Sequence, residues 1–285
     1  MGQAVATISN IVILSSMYIL VALGFAFLFN MLGLLNLAHG AIYMIGAYIA
    51  FILIAALGFP FWASLVLATV AVALLGVVLE RICFRPFVGD FNRSVMICVA
   101  LTVLFQTLVN IMAGAKTLAL PPIARGIFHF GPISLSYERI ITFVIGLILL
   151  VAFVLFVNKT KWGQQMQAIA QNTDGASLQG ISVHRISALA SALGCGLAAL
   201  AGCLMGAFMG IGPFMGDQML VKALMLVILA GIGSIGGIFL AGLLLGTLNA
   251  VLPLVTNGAA SEAAAVAVVV VLLLIRPKGF FGHEA

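Results

Sequence analysis

Eight residues in apolar surroundings carry side chains able to handle a polar solute. Asn36 and His39 lie in the run Asn36-Leu37-Ala38-His39-Gly40. Thr102, Gln106 and Asn110 recur every four residues, which puts them on one face of a helix. Asn249 stands in a later apolar run, and Asp217 and Glu262 stand near the ends of two others. The chemistry these groups offer is reversible: they exchange hydrogen bonds with a molecule passing along a pathway. For Thr102, Gln106, Asn110 and Asn249 a second account serves equally, namely helix–helix hydrogen bonding, worth about 0.6 kcal/mol on average in membranes. Asn36 serves equally as a cap for the following helix. Asp217 and Glu262 read as lip residues that touch a partner or solvent.

Bond-making chemistry finds no support. There is no G-x-x-x-x-G-K-[ST], H-E-x-x-H or G-x-S-x-G, and no convergent nucleophile and base. The cysteines Cys83, Cys98, Cys195 and Cys203 show no C-x-x-C spacing, so neither a metal site nor a disulfide framework is expected. A proton relay, a TVGYG filter and an Arg-rich sensor helix are also missing.

Composition decides what must position these groups. Hydrophobic residues make up 64% of the 285 and charged residues 7%, against about 25% charged in a soluble protein. Such a chain cannot cover itself with a polar shell, so lipid is its solvent. The apolar runs are continuous, as from Ile141 to Val157, and lack the alternation of a β-barrel. Helices are the remaining way to satisfy a backbone in lipid, and the 31 glycines suit close helix packing. The expected architecture is all-α: one transmembrane domain over 1–285 with about nine spans. They fall near 10–30, 40–58, 61–79, 94–113, 139–157, 185–210, 219–231, 236–254 and 259–275. Eight to ten spans fit the length, and the seventh is short enough to be part of a broken helix. The first 30 residues lack a basic n-region and a small-residue cleavage site, which reads as a retained span.

Charge sets the orientation. Arg81, Arg85, Arg93, Lys159, Lys161, Arg185, Arg276 and Lys278 fall on one side of a nine-span chain, and Lys116, Arg125, Arg139 and Lys222 on the other. Basic loops favour the cytoplasm, so the N-terminus is expected outside and the C-terminus in the cytoplasm. The net charge of +5 is spread over span ends rather than one patch, which excludes nucleic acid as a partner. Spans one to four and six to nine run in opposite senses, with Gly-interrupted breaks at Gly33 to Gly46 and Gly231 to Gly242. This is the pattern of an inverted repeat.

Two long connections remain. Residues 114–138 form the outer loop, where Pro121-Pro122 and Gly131-Pro132 mark turns. Residues 158–184 form the cytoplasmic loop, with helical character from Gln164 to Gln171. Asn172-Thr173-Asp174 then caps a second short helix that ends at Gly180. A helix pair reads either as an ordered loop or as a docking surface. A membrane protein with a pathway, no energy-coupling ion site and a shaped cytoplasmic loop borrows its energy. An ATPase bound at that loop is the natural source.

Five motifs in order resemble the branched-chain amino-acid ABC transporter permeases of the LivH type. They are Asn36-Leu37-Ala38-His39-Gly40 running on to Tyr43-Met44-Ile45-Gly46-Ala47-Tyr48; Glu80-Arg81 with Arg85-Pro86; the loop from Gly163 to Ile181; Gly231-Ile232-Gly233-Ser234-Ile235-Gly236-Gly237; and Arg276-Pro277-Lys278-Gly279-Phe280-Phe281-Gly282. The family's acidic residue after His-Gly is Ala41 here. The resemblance implies a bacterial inner-membrane importer of branched-chain amino acids or a related solute such as urea, an amide or an organic acid. A LivM-like second permease would complete the pore. A periplasmic or surface solute-binding protein would dock near Asp217 and Glu262. Two cytoplasmic ATPases, holding the ATP and Mg, would couple through Gly163, Ala168, Ala170, Asn172, Ala176, Gly180 and Ile181, and this chain would need no cofactor. A standalone channel or facilitator is the alternative.

Overall fold

The computed structural model describes residues 2–33, 35–121, 126–130, 133–231, 234–277 and 279–281. Pro122, Arg125, Gly131-Pro132, Ile232-Gly233, Lys278 and Gly282, all used above, lie outside them. A helix needs about 20 residues to cross a bilayer core of about 30 Å. Six helical segments are long and apolar enough: Ala6–Asn30, Phe61–Phe87, Phe91–Ala113, Ile140–Lys159, Val183–Ala207 and Gly236–Leu254. They belong to α1 (Gly2–Leu32), α3 (Phe61–Leu79, continued by a π-helical turn Glu80–Phe84 and a 3-10 turn Arg85–Phe87), α4 (Phe91–Ala113), α5 (Tyr137–Lys159), α8 (Val183–Met209) and α10 (Ile235–Val251). The other three expected spans are helical and shorter: α2 (His39–Ala55), α9 (Met215–Ala230) and α11 (Gly258–Ile275). The 16 residues of α9 include Asp217 and Lys222, so this helix is less apolar than α10.

The expected outer connection is not made of turns alone. Two strands, β1 (Ile127–Phe130) and β2 (Ile133–Ser136), pair antiparallel with Ile127 opposite Ser136. The all-α reading therefore holds for the apolar segments, and this loop adds a hairpin. Ile133-Ser134-Leu135-Ser136 has the strict alternation of a strand, a period-two signal overlooked in a chain dominated by continuous apolar runs. The other expected loop contains α6 (Lys161–Gln171) and α7 (Thr173–Leu178).

The chain divides into two units. The first comprises Met1–Leu23, Pro122–Ile148 and Val221–Ala285. Here Gly246 packs on Ser15, Gly242 on Ile19 and Gly146 on Met17. The tail motif caps α9: Phe280 N–H donates to Leu229 O at 2.8 Å and Phe281 N–H to Ala230 O at 3.2 Å, satisfying carbonyls a helix end leaves open. Gly279 has φ +73°, and a Cβ there would press on the Gly231 backbone, which explains the glycine in Lys278-Gly279-Phe280.

The second unit comprises Gly24–Pro121 and Leu149–Leu220. Its centre is α8, against which α2 and α3 pack. Lipid tails are as apolar as leucine, so burial of apolar surface gives no drive between helices. Close backbone approach through small residues replaces it. A Cβ on Gly202 would overlap the Tyr43 carbonyl, and one on Gly46 would overlap Ala199. Cys203 Sγ lies 3.2 Å from Gly46 O. On the α3 side, Gly76 abuts Ser191 and Cys195, and Ser191 Oγ donates to Gly76 O at 2.8 Å.

Candidate functional site

The break between α1 and α2 is built by backbone and one side chain. Gly33 ends α1 at φ +63°. Asn36 Oδ1 accepts from Ala38 N–H at 3.1 Å, and His39 N–H donates to Asn36 O at 3.1 Å. Asn36 thus closes the turn before α2. The N-cap residue itself is Ala38, which has no side-chain cap bond. Asn36 Nδ2 is buried without a hydrogen-bond partner among the described residues. His39 is fully enclosed, edge-on to Phe25 with ring centres 5.6 Å apart.

Helix α4 bears on this break. Thr102, its middle residue, places Oγ1 3.3 Å from Leu37 O and 2.9 Å from Cys98 O. One turn on, Gln106 Nε2 donates to Asp217 Oδ1 at 2.6 Å, a short, charge-assisted bond. Asp217 lies in the first turn of α9, where a carboxylate is favoured by the helix dipole. Gly216 beside it meets Gly40 of α2 backbone to backbone, with no room for a Cβ on either. Two helix N-termini and the Gln106–Asp217 pair therefore converge. A cavity of about 340 Å³ adjoins them, lined by Tyr43, Thr117, Gly210, Met215, Gln218 and Met219 among others. That lies within the roughly 300–1,000 Å³ range of ligand pockets. Its wall is held by a bridge in which Leu118 and Ile211 exchange both backbone bonds at 2.8 Å.

The expected pathway residues thus divide. Asn36, His39, Thr102 and Gln106 gather around the break, and Gln106 binds Asp217, expected instead at a docking lip. Asn110 is exposed one turn further along α4. Asn249 lies in the other unit, where its Nδ2 donates to Leu245 O at 3.0 Å in its own helix.

Glu262 also has a partner. Lys222, counted above among loop charges, lies inside α9 with its side chain 15% exposed. Its Nζ lies 3.3 Å from Glu262 Oε1 and 3.3 Å from Tyr18 Oη, over the Tyr18 ring. Sequence reasoning missed this cluster because Tyr18 lies 204 positions from Lys222 and Glu262 lies 40 positions beyond it; a lone lysine in an apolar run was the available signal.

In the 158–184 loop, Thr160 Oγ1 accepts from Gly163 N–H and caps α6, and Asn172 Oδ1 accepts from Gly175 N–H and caps α7. Gly163 and Ala176 are buried, and a Cβ at Gly163 would overlap the carbonyls of Phe156 and Val157 at the end of α5. Ala168 and Ile181 are partly buried; Ala170, Asn172 and Gly180 are exposed. Gly180 has φ +81°. Its N–H donates to Ser177 O and that of Ile181 to Ala176 O, the Schellman ending for which glycine is suited. Leu178, absent from the expected set, is 89% exposed at the tip.

Many membrane-crossing helices, with polar groups gathered where helices break, define a polytopic membrane permease, a translocator rather than an enzyme. The chain belongs to the family described as the permease component of branched-chain amino acid transport systems, whose model matches residues 7–276. It is 33% identical over 283 residues to the high-affinity branched-chain amino acid transport system permease protein BraD of Pseudomonas aeruginosa, covering 94% of this chain and 92% of that protein. It is 31% identical to LivH of Escherichia coli K12, covering 96% of this chain and 94% of that one. A chain of PsaBC from Streptococcus pneumoniae, solved in complex with Fab, shares the fold at TM-score 0.54 and 16% identity, over 95% of this chain and 92% of that one. The protein is a multi-pass component of the bacterial inner membrane.

The Gln106–Asp217 bond gives a direct expectation. Hydrogen bonds to charged groups contribute about 1.5–3 kcal/mol. Were the pair to line the solute pathway, replacing Asp217 with Asn is expected to lower uptake of a zwitterionic amino acid by the reconstituted transporter about tenfold or more, and Gln106→Ala to lower it less. Wild-type uptake by Asp217→Asn, measured with radiolabelled solute, removes both residues from the pathway.

Proposed function

We propose that this chain is one of two permeases in a binding-protein-dependent importer of branched-chain amino acids, driven by ATP hydrolysis in two partner ATPases. The observation that carries the solute reading is the convergence of Asp217 and Gln106 with the first turns of α2 and α9. The Asp217 carboxylate suits the ammonium group of an amino acid, and the N-terminus of α2 suits its carboxylate. The methionine-lined cavity beside them suits an apolar side chain. Residues Asn36, His39, Thr102 and Asn110 extend this pathway.

The nine helices at the expected positions support a nine-span chain with the N-terminus outside and the C-terminus in the cytoplasm. With Lys222 inside α9, the basic loop residues divide eight to three instead of eight to four, which favours the same orientation. The α6–α7 pair then faces the cytoplasm and presents Ala170, Asn172, Leu178 and Gly180 to an ATPase. Leu178, almost fully exposed outside the apolar spans, is free to seat against such a partner. The second permease, LivM-like, covers the exposed face of α4 that carries Asn110, and the solute-binding protein approaches the outer side near Glu262. Urea, amides and organic acids are alternative solutes. ATP and Mg belong to the ATPases.

The test is recovery of the complex. The chain, tagged at its N-terminus and expressed with its genomic neighbours, is weighed by native mass spectrometry. Two different permeases with two ATPases are expected. A lone chain or simple homo-oligomer that conducts solute into liposomes without ATP establishes a facilitator instead.

A further inference from the structure

One charged pair in the second unit has no part in the solute site. Glu80 sits in the π-helical turn that follows α3, and its side chain is 2% exposed. Arg85, 33% exposed, donates to it twice: Nε to Oε1 at 3.1 Å and Nη2 to Oε2 at 2.8 Å. The same Nη2 reaches the carbonyl of His184, the second residue of α8, at 3.3 Å. A half-exposed arginine at a span end normally extends toward water. Here its fork is committed inward and across to another helix.

A buried ion pair contributes little net stability compared with well-packed apolar residues. What a bidentate pair supplies is fixed geometry. The geometry fixed here is that of two helix ends. Arg85 ties the end of α3 to the first turn of α8, and Ser191 to Gly76 ties them again about two turns deeper. The Schellman turn that ends α7 closes at Ile181, leaving Ser182 and Val183 before His184. A displacement of α7 therefore reaches His184 with almost no slack. Inserted residues of this π type are common where helices carry function. This one turns Glu80 inward, so that the pair forms at a separation of five residues.

We infer that Glu80 and Arg85 are positioning residues that transmit movement of the α6–α7 segment, through His184, into α3 and the helices packed on it. The inference rests on the importer reading, since it requires an ATPase to move that segment. Neither residue lines the cavity or belongs to the Gln106–Asp217 pair.

The experiment uses the whole transporter in proteoliposomes with its binding protein, and reads solute transported per ATP hydrolysed, solute KM and complex mass together. Glu80→Gln keeps the shape of the side chain and removes its charge. Arg85→Lys keeps the charge and loses the fork, and serves should Glu80→Gln not assemble. Ser191→Ala removes only the deeper tie. For both pair variants we expect an assembled complex, an unchanged solute KM and about a tenfold fall in solute per ATP. Ser191→Ala is expected to lower the thermal midpoint and leave that ratio unchanged. Assembled pair variants with a wild-type ratio overturn the inference, as does an equal fall of the ratio in Ser191→Ala. If the wild-type chain recovers no ATPase, the importer reading itself fails, an outcome distinct from either.

Discussion

Replacing Gly202 with valine is expected to abolish accumulation of the folded protein. A Cβ at this position would overlap the carbonyl of Tyr43 across the α2–α8 seam, and valine adds two methyl groups behind it. The neighbour is backbone, so no rotamer change relieves the clash. Overpacking typically costs about 1–3 kcal/mol and at times more. Here the helices must also separate, and in lipid their association rests on that contact. Gly46 against Ala199 and Cys203 against Gly46 belong to the same seam and are lost with it. We expect a loss above about 3 kcal/mol, more than a hundredfold in the folded ratio. Gly236→Ala is the control, because a Cβ there meets nothing within 4 Å; its effect should stay within about 0.5 kcal/mol. Membrane abundance and the thermal midpoint in detergent report both. A Gly202→Val protein with wild-type abundance and melting would show that the α2–α8 contact is looser than described.

Leu178→Asp should separate folding from function. With 89% of its surface exposed, this leucine contributes almost nothing to the chain's own packing, so insertion and melting stay as in the wild type. If it seats in an ATPase groove, a buried carboxylate there costs at least about 2 kcal/mol, the size of an interface hot spot. ATPase recovery on affinity purification should then fall about thirtyfold and ATP-driven uptake should disappear. Ala170→Asp is expected to act in the same direction from α6. Undiminished recovery with both variants would mean that ATPases, if bound, dock elsewhere.

The sequence was informative where signals are local. An apolar run declares a span, and the expected 61–79 coincides with α3 to the residue. Asn172 is visible as a cap because the amide it satisfies is three positions away, whereas Thr160, which caps α6 in the same way, was not read as one. Asp90, which caps α4 by accepting from Arg93 N–H at 3.1 Å, offered the same signal, and the start of that helix was set three residues late without it. What escaped were pairings over distance. Gln106 and Asp217 read separately as a pore residue and a lip residue, 111 positions apart, yet they bind each other. Lys222 read as a loop charge because nothing nearby announces Tyr18 or Glu262. Glu80 and Arg85 were legible as a motif, but the carbonyl of His184 that gives the pair its direction was not.

The α8-centred packing also governs how the protein is made. Gly46 and its neighbour Ala199 are separated by roughly 150 residues, and a ribosome adds about 5–20 residues per second. For something like eight to thirty seconds α2 and α3 therefore reside in the bilayer with their glycine faces uncovered, until α8 emerges and packs against both. During that interval a membrane-embedded chaperone or protease meets bare Gly46 and Gly76, surfaces it will never meet again on the finished molecule. Quality control can thus tell an unfinished permease from a mature one by the delay alone.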